Sequence, residues 1–229
     1  MRLAFFWMRL FFRLPYLLYA AKKAKKMEFE QRYAYARKVM GPIVRKLHCP
    51  LEVIGEENIP EEKGMLFVGN HQGSADAFIY MQANAHPTTS VSKKEGAKIP
   101  VLSDWYDALE VIYFDRDNLR DAARMVKEVT ETLKGGRNVT IFPEGTRSKS
   151  QTVQTFRPGA LKPAYRAKAV IQPFALVNAY IPLDSREPHK TIRVVFLKPW
   201  FYADYAAYTT VELAELLKAQ IENAIRENA

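Results

Sequence analysis

The stretch that decides the reading is Val68 to Asp76, VGNHQGSAD. A short apolar run from Met65 ends in Gly69-Asn70, His71 follows at once, and AFIYMQAN from Ala75 onward has a helical pattern. A strand, a tight loop and a helix start therefore meet at one histidine and one aspartate. In an open α/β sheet such joints, beyond the carboxyl ends of the strands, are where ligands bind. An H-x4-D spacing across the turn can bring the carboxylate to one ring nitrogen and leave the other to take a proton from a hydroxyl. The same letters also fit an inert loop whose Asp caps a helix, so the stretch by itself leaves both readings open.

Outward from it, the chain alternates strands and helices. His48 to Pro60, HCPLEVIGEENIP, reads as a short strand with a polar turn closing on Pro60. Thr88 to Ser92 is a further strand candidate, and Glu110 to Phe114 and Asn138 to Phe142 read as buried strands from their apolar and β-branched runs. Leu119, Ala122, Val126, Val129 and Leu133 follow the helical period, with Gly135-Gly136 as the stop. Ala160 to Lys168 reads as a helix. Val170 to Val177 is a strand whose Pro173 predicts an edge position or a bulge, and Thr191 to Leu197 is the last strand. Thr209-x-x-Glu212 is a capping box opening a C-terminal helix, with Leu213, Leu217, Ile221 and Ile225 inward. The fold expected is α/β, a single domain over residues 48–229 with a central, largely parallel sheet flanked by helices. Residues 1–47 form an N-terminal amphipathic membrane-associating helical arm. The length of 229 residues suits one such core.

The net charge of +9 invites a nucleic-acid reading, but its placement argues against one. Residues 1–46 carry twelve Lys and Arg against two acids, which leaves 22 bases and 23 acids for the rest of the chain. The body is neutral, and the basic arm is also the most apolar part. In MRLAFFWMRLFFRLPYLLYAA, Arg9 and Arg13 interrupt the apolar run, so it falls short of the roughly 20 residues needed to cross a bilayer. Arg2, Arg9 and Arg13 share one helical face, which describes a helix lying in the interface with its arginines toward the headgroups. Pro15 predicts a kink. Lys22, Lys23, Lys25 and Lys26 add a contact for anionic membrane lipids on the cytoplasmic leaflet, about 1 kcal/mol per charge near the surface. A second helix is expected from Met27 to Met40, stopped by Gly41-Pro42. The arm implies peripheral or monotopic attachment to the cytoplasmic face of the cell membrane, with no nucleic acid as partner. One cysteine, Cys49, excludes an internal disulfide and reads as a packing residue.

Three strands end in charged, turn-rich loops: His71 to Asp76, Asp115 to Asn118 and Glu144 to Ser148. A parallel sheet gathers them along one edge. The inventory is a base (His71), its orienting carboxylate (Asp76), two arginines suited to phosphate (Arg116, Arg147), Glu144, and the backbone of Gly145. The phosphate-loop, dinucleotide and serine-elbow signatures are absent, as is Cys/His metal-ligand spacing. His48, His86 and His189 stand in no comparable constellation and read as surface residues.

Taken together, four blocks in order resemble the glycerolipid acyltransferases, and in particular the bacterial 1-acylglycerol-3-phosphate (lysophosphatidic acid) acyltransferase family. They are NHQGSAD (Asn70 to Asp76), VIYFDRDN (Val111 to Asn118), FPEGTRS (Phe142 to Ser148) and IQPFALV (Ile171 to Val177). GEENIP, SKKEGAKIP and FRPGA flank them, so the likeness spans roughly residues 50 to 180. The glycine inside NHQGSAD and Pro158 of FRPGA depart from the family's commoner letters.

The resemblance implies transfer of an acyl group from a thioester of acyl carrier protein or coenzyme A to the sn-2 hydroxyl of lysophosphatidic acid, giving phosphatidic acid. His71 would be the base and Asp76 its orienting partner. Asn70, Arg116, Glu144, Gly145, Thr146 and Arg147 would bind the phosphate-bearing acceptor, with no metal and no cofactor beyond the thioester substrate. An acyltransferase for glycerol-3-phosphate or another lysophospholipid fits the same blocks. A non-catalytic membrane lipid-binding protein is the alternative from another class, and an intact His71 and Asp76 weigh against it.

Overall fold

The computed structural model describes residues 11–47, 49–115, 117–184, 187–188 and 190–229. Arg116, the first ten residues of the amphipathic stretch with Arg2 and Arg9, His48 and His189 lie outside the described residues.

A seven-stranded sheet forms the middle layer. Its strands are β1 (Leu51–Ile54), β2 (Leu66–Gly69), β3 (Thr88–Lys93), β4 (Ile112–Phe114), β5 (Asn138–Ile141), β6 (Ile171–Val177) and β7 (Ile192–Phe196). The spatial order is β1-β7-β6-β2-β5-β3-β4. Every pairing is parallel except β6 with β7, so the expected largely parallel sheet is present. The helices are α1 (Leu14–Ala24), α2 (Phe29–Arg45), α3 (Asp76–Ala83), α4 (Leu102–Ala108), α5 (Leu119–Lys134), α6 (Lys162–Ala167), α7 (Ile181–Asp184), α8 (Tyr202–Tyr205) and α9 (Thr210–Asn228).

The central strands are buried on both faces, and their alternation sorts side chains into two cores. Leu66, Val68, Val139, Ile141, Ile171 and Val195 pack under α5 and α9. Met65, Phe67, Phe174, Leu176, Val194 and Phe196 pack under α3 and the end of α2. At about 1.5–3 kcal/mol per fully buried large apolar side chain, these layers dominate the stability of the sheet. A third cluster joins the arm to the body. Leu17, Ala20, Ala21 and Ala24 of α1 and Tyr33, Ala36, Val39 and Met40 of α2 meet Met81, Trp105 and Ala108.

Several expectations change in the structure. Gly41-Pro42 does not stop α2, which runs on to Arg45 because Val44 and Leu47 beyond it are buried in the second core. Gly41 instead permits close approach: a Cβ there would lie 3.0 Å from Gln82 Oε1. Arg37 and Gln82 cross-bond the two helices at the same level. Pro15 occupies the first turn of α1, where a missing N–H costs nothing. Leu119 is 89% exposed; the inner face of α5 is instead Met125, Val126, Val129 and Leu133.

The largest correction concerns Pro173. It does not mark an edge, since β6 lies between β2 and β7, but the other expected position holds: the antiparallel register slips by one residue between Phe174↔Phe196 and the bridge Ile171↔Trp200, a bulge at Pro173. Leu197 N donates to Pro173 O at 3.0 Å, but proline has no N–H to return. Gln172 Nε2 supplies the missing donor, reaching Leu197 O at 2.7 Å. The C-terminal capping box forms as expected, with Thr209 N donating to Glu212 Oε2 at 2.7 Å and Glu212 N to Thr209 Oγ1 at 3.2 Å.

Candidate active site

The site lies over the carboxyl ends of β2 and β5. Gly69, the last residue of β2, pairs with Phe174, and a Cβ at Gly69 would fall 2.3 Å from that ring. Glycine is therefore the residue that lets β2 end flush against Phe174. Asn70 then turns inward. It is 1% exposed, its Nδ2 donates to Leu176 O at 3.0 Å and its Oδ1 accepts from Leu176 N at 2.7 Å. This side chain continues the ladder for one more rung and fixes where the next residue leaves the sheet.

That residue is His71. Its Nδ1–H donates to Asp76 Oδ2 at 2.6 Å, a short charge-assisted bond. The ring stacks on Phe142, with centroids 4.6 Å apart and planes 21° from parallel. Asp76 is fully buried and also accepts from Gln72 N at 2.6 Å and from Gly73 N at 2.9 Å. Burial raises its carboxyl above the usual value, and the His71 ring and the two backbone N–H groups oppose that shift. In the neutral ring, Nδ1 as the donor leaves the lone pair on Nε2, and the imidazole remains 22% exposed. The spacing of His71 and Asp76 thus becomes a direct bond.

Glu144, after β5, lies beneath this loop. It is 3% exposed, and its Oε1 accepts from His71 N at 2.7 Å while Oε2 accepts from Gln154 N at 3.0 Å. Its side chain clamps two loops together. Burial pushes its carboxyl up to about 7, against the pull of those two N–H donors. Gly145 adopts φ +70 and backs onto Arg157, whose Nε lies 3.3 Å from where a Cβ would sit.

Thr146 and Arg147 then emerge into solvent, and Arg147 Nη1 donates to Ser74 Oγ. Ser148 N and Lys149 N donate to His71 O and Gln72 O, both at 2.9 Å, which laces this loop to the first. On the third loop, Asp115 pairs with Lys94.

The structure therefore brings His71 and Asp76 together and sets Arg147 beside the same loop. It turns Asn70 and Glu144 inward, onto backbone, where the sequence reading expected substrate contacts. Phe142 was missed, although it opens the FPEGTRS block. Gln151 was missed too, because it sits in a polar loop with no pattern to single it out. Beside Phe142, an apolar cavity opens between the arm and the sheet, lined among others by Tyr33, Met40, Phe78, Trp105 and Leu109.

A three-layer α/β sheet with a carboxylate-oriented histidine at its carboxyl edge is the arrangement that base-assisted group transfer uses. Comparison with known proteins narrows the class. A family model described as Acyltransferase matches residues 50–177, and the chain belongs to that family. It is 31% identical over 126 residues to a 1-acyl-sn-glycerol-3-phosphate acyltransferase of Borreliella burgdorferi, covering 55% of this chain and 50% of that one. To the Escherichia coli protein of the same name it is 27% identical over 164 residues, covering 71% and 67%. The chain spans about half the length of the first curated relatives it matches. The crystal structure of the acyltransferase PlsC from Thermotoga maritima superposes with a TM-score of 0.82 at 22% identity, over 99% of this chain and 94% of that one, which shows a shared fold.

Proposed function

We propose that this protein transfers a fatty acyl group from a thioester of acyl carrier protein or coenzyme A to the sn-2 hydroxyl of lysophosphatidic acid, giving phosphatidic acid. The observation that carries the reading is the 2.6 Å bond from His71 Nδ1 to buried Asp76, set at the strand ends in a chain of the acyltransferase family. Relatives named for that reaction support the choice of acceptor.

In this mechanism Asp76 holds the Nδ1–H tautomer, and His71 Nε2 takes the proton of the acceptor hydroxyl as its oxygen attacks the thioester carbonyl. The tetrahedral intermediate collapses and breaks the carbon–sulfur bond. The departing thiolate recovers the proton from the imidazolium, leaving a free thiol and the new ester. Backbone N–H groups meet the oxyanion, and no metal or cofactor beyond the thioester takes part. Arg147, Gly145 and Thr146, with Arg116 from the third loop, hold the acceptor phosphate. Asn70 and Glu144 hold the loops that carry these groups. The cavity beside Phe142 takes the apolar chain, since its lining offers hydrocarbon and aromatic surface a few ångströms from the base.

The arm places this site at its substrates. Tyr16 and Tyr19 of α1 are 53% and 65% exposed, whereas Leu17, Ala20, Ala21 and Ala24 of the same helix are buried, and Phe12, in the turn before it, is 76% exposed. Exposed Lys22, Lys23, Lys25 and Lys26 follow them. Among the described residues no helix is long and apolar enough to cross a membrane. This pattern fits attachment to the surface of an anionic bilayer, on the cytoplasmic side. Replacing Phe12, Tyr16 and Tyr19 together by Ser should lower sedimentation with anionic vesicles severalfold; unchanged sedimentation contradicts the attachment.

The reaction is tested by presenting the protein with lysophosphatidic acid, glycerol-3-phosphate and other lysophospholipids in vesicles, with acyl thioesters of both carriers. Mass spectrometry should show phosphatidic acid as the main product. Acylation of a different acceptor would move the substrate, and no transfer to any acceptor would overturn the proposal.

A further inference from the structure

Behind the catalytic loop a chain of side-chain amides crosses from β6 to β2. Gln72 is fully buried, and all its polar groups are engaged. Its N–H donates to Asp76 Oδ2 at 2.6 Å, its carbonyl accepts from Lys149 N, and its Oε1 accepts from Ala179 N at 2.8 Å. Its Nε2 donates to Gln151 Oε1 at 2.6 Å. Gln151 Nε2 donates to Asn178 Oδ1 at 2.6 Å, and Asn178 Nδ2 donates to Thr191 O at 2.9 Å. Asn178 is 3% exposed and sits at φ +62, a conformation asparagine tolerates better than most residues.

The direction of this chain is fixed at both ends. Ala179 N can only donate, so the atom of Gln72 facing it is oxygen. Thr191 O can only accept, so the atom of Asn178 facing it is the amide nitrogen. Between these anchors one orientation of Gln151 satisfies both neighbours. Gln151 also lies four residues beyond Arg147, on the loop laced to His71 and Gln72 through Ser148 N and Lys149 N. The one half-exposed member thus joins the arginine-bearing loop to the residue whose N–H holds Asp76.

We infer that Gln72, Gln151 and Asn178 form a one-way amide relay that sets the position of Asp76 against His71, with Gln151 as a positioning residue for acyl transfer. The inference rests on the proposed reaction, while its structural half can be read without turnover. Removing the amide of Gln151 leaves Gln72 Nε2 and Asn178 Oδ1 without partners in a buried site. The loop then shifts to recover them, and Asp76 moves with Gln72. Such a shift reaches the proton-transfer step through Gln72 N and Asp76, whereas Arg147 is separated from Gln151 by Ser148 and Lys149, whose N–H groups hold that part of the loop on His71 O and Gln72 O.

Two variants of the full chain test this. Gln151→Leu removes both amide atoms, and Gln151→Glu keeps the shape but sets a carboxylate oxygen against Asn178 Oδ1. Each is examined by circular dichroism, by the low-field proton resonance of His71 Nδ1–H, and by kinetics with lysophosphatidic acid and an acyl thioester in vesicles. With the fold retained, kcat should fall about 10- to 100-fold, as expected for a misplacement of about 1 Å. KM for the acceptor should stay within about twofold, and the resonance should shift in both variants. If Gln151→Leu does not fold, Gln151→Glu decides. A resonance and kcat equal to wild type in Gln151→Glu, or a loss confined to KM, overturns the relay. If the wild type transfers no acyl group, the functional reading fails, and the resonance alone then decides whether the relay positions the dyad.

Discussion

The loop from Asn70 to Ala75 and the loop from Glu144 to Lys149 meet over the ends of β2 and β5, but they are built to opposite specifications. In the first, Asn70, Gln72 and the Asp76 that follows are buried and hydrogen-bonded to backbone. In the second, Glu144 turns in to clamp the first loop, while Thr146, Arg147 and Lys149 stand in solvent. In the proposed reaction the base is held by buried groups, so that its geometry is determined before any substrate arrives. The side proposed for the phosphate is left open, where a charged headgroup can enter and exchange. A preorganised dyad acts on the barrier, and an exposed arginine acts on binding.

Substitutions that break one side and spare the other sharpen this contrast. Asp76→Asn should have the largest effect, lowering kcat by about 10³- to 10⁴-fold, because an amide can present N–H to Nδ1 and stabilise the wrong tautomer. A variant within tenfold of wild type would show that Asp76 does not set the tautomer. Arg147→Ala should raise KM for the acceptor about 10- to 100-fold with kcat within a few-fold, the signature of a lost charge-assisted contact outside the chemical step. Arg147→Lys should recover only part of it, since an ammonium lacks the planar fork. Equal losses in kcat and kcat/KM from Arg147→Ala would move Arg147 into the transition state.

Glu144 acts on the fold instead of the reaction, and its effect is read as stability against pH. Its folded value of about 7 lies above the ordinary 4.5, so between these values the folded chain binds more protons than the unfolded one. This contribution is fully present below about pH 4.5 and is lost as pH rises through 7. The wild type should therefore lose up to about 3 kcal/mol relative to Glu144→Gln across that window. Thermal melts of the two proteins from pH 4.5 to 8 measure the difference. A constant offset would mean that Glu144 titrates alike in both states.

Much of this was legible along the chain, for identifiable reasons. Continuous apolar runs mark strands buried on both faces, and His71 and Asp76 are close enough in sequence that a local turn suffices to join them. Thr209 and Glu212 form a local cap, which sequence spacing can specify. Where local rules failed, a distant partner decided. Pro173 reads as an edge or a bulge, and the choice between them is made by distant partners: β7 pairs beyond it with a one-residue slip, and Gln172 Nε2 replaces its missing donor to Leu197 O. Gly41-Pro42 reads as a stop until the buried Val44 and Leu47 carry the helix past it. Asn70 and Glu144 look like substrate contacts, because a motif names residue types without saying which way they face. Gln151 was invisible, since its partners Gln72 and Asn178 lie 79 and 27 residues away.

In the proposed reaction His71 is the base for acyl transfer, and other residues hold the acceptor. His71→Ala in vesicles with lysophosphatidic acid and an acyl thioester tests it, provided acceptor binding is measured on the same sample. Acceptor affinity should stay within about twofold of wild type, and phosphatidic acid formation should fall by at least about 10³-fold. Phosphatidic acid formed at the wild-type rate would contradict it.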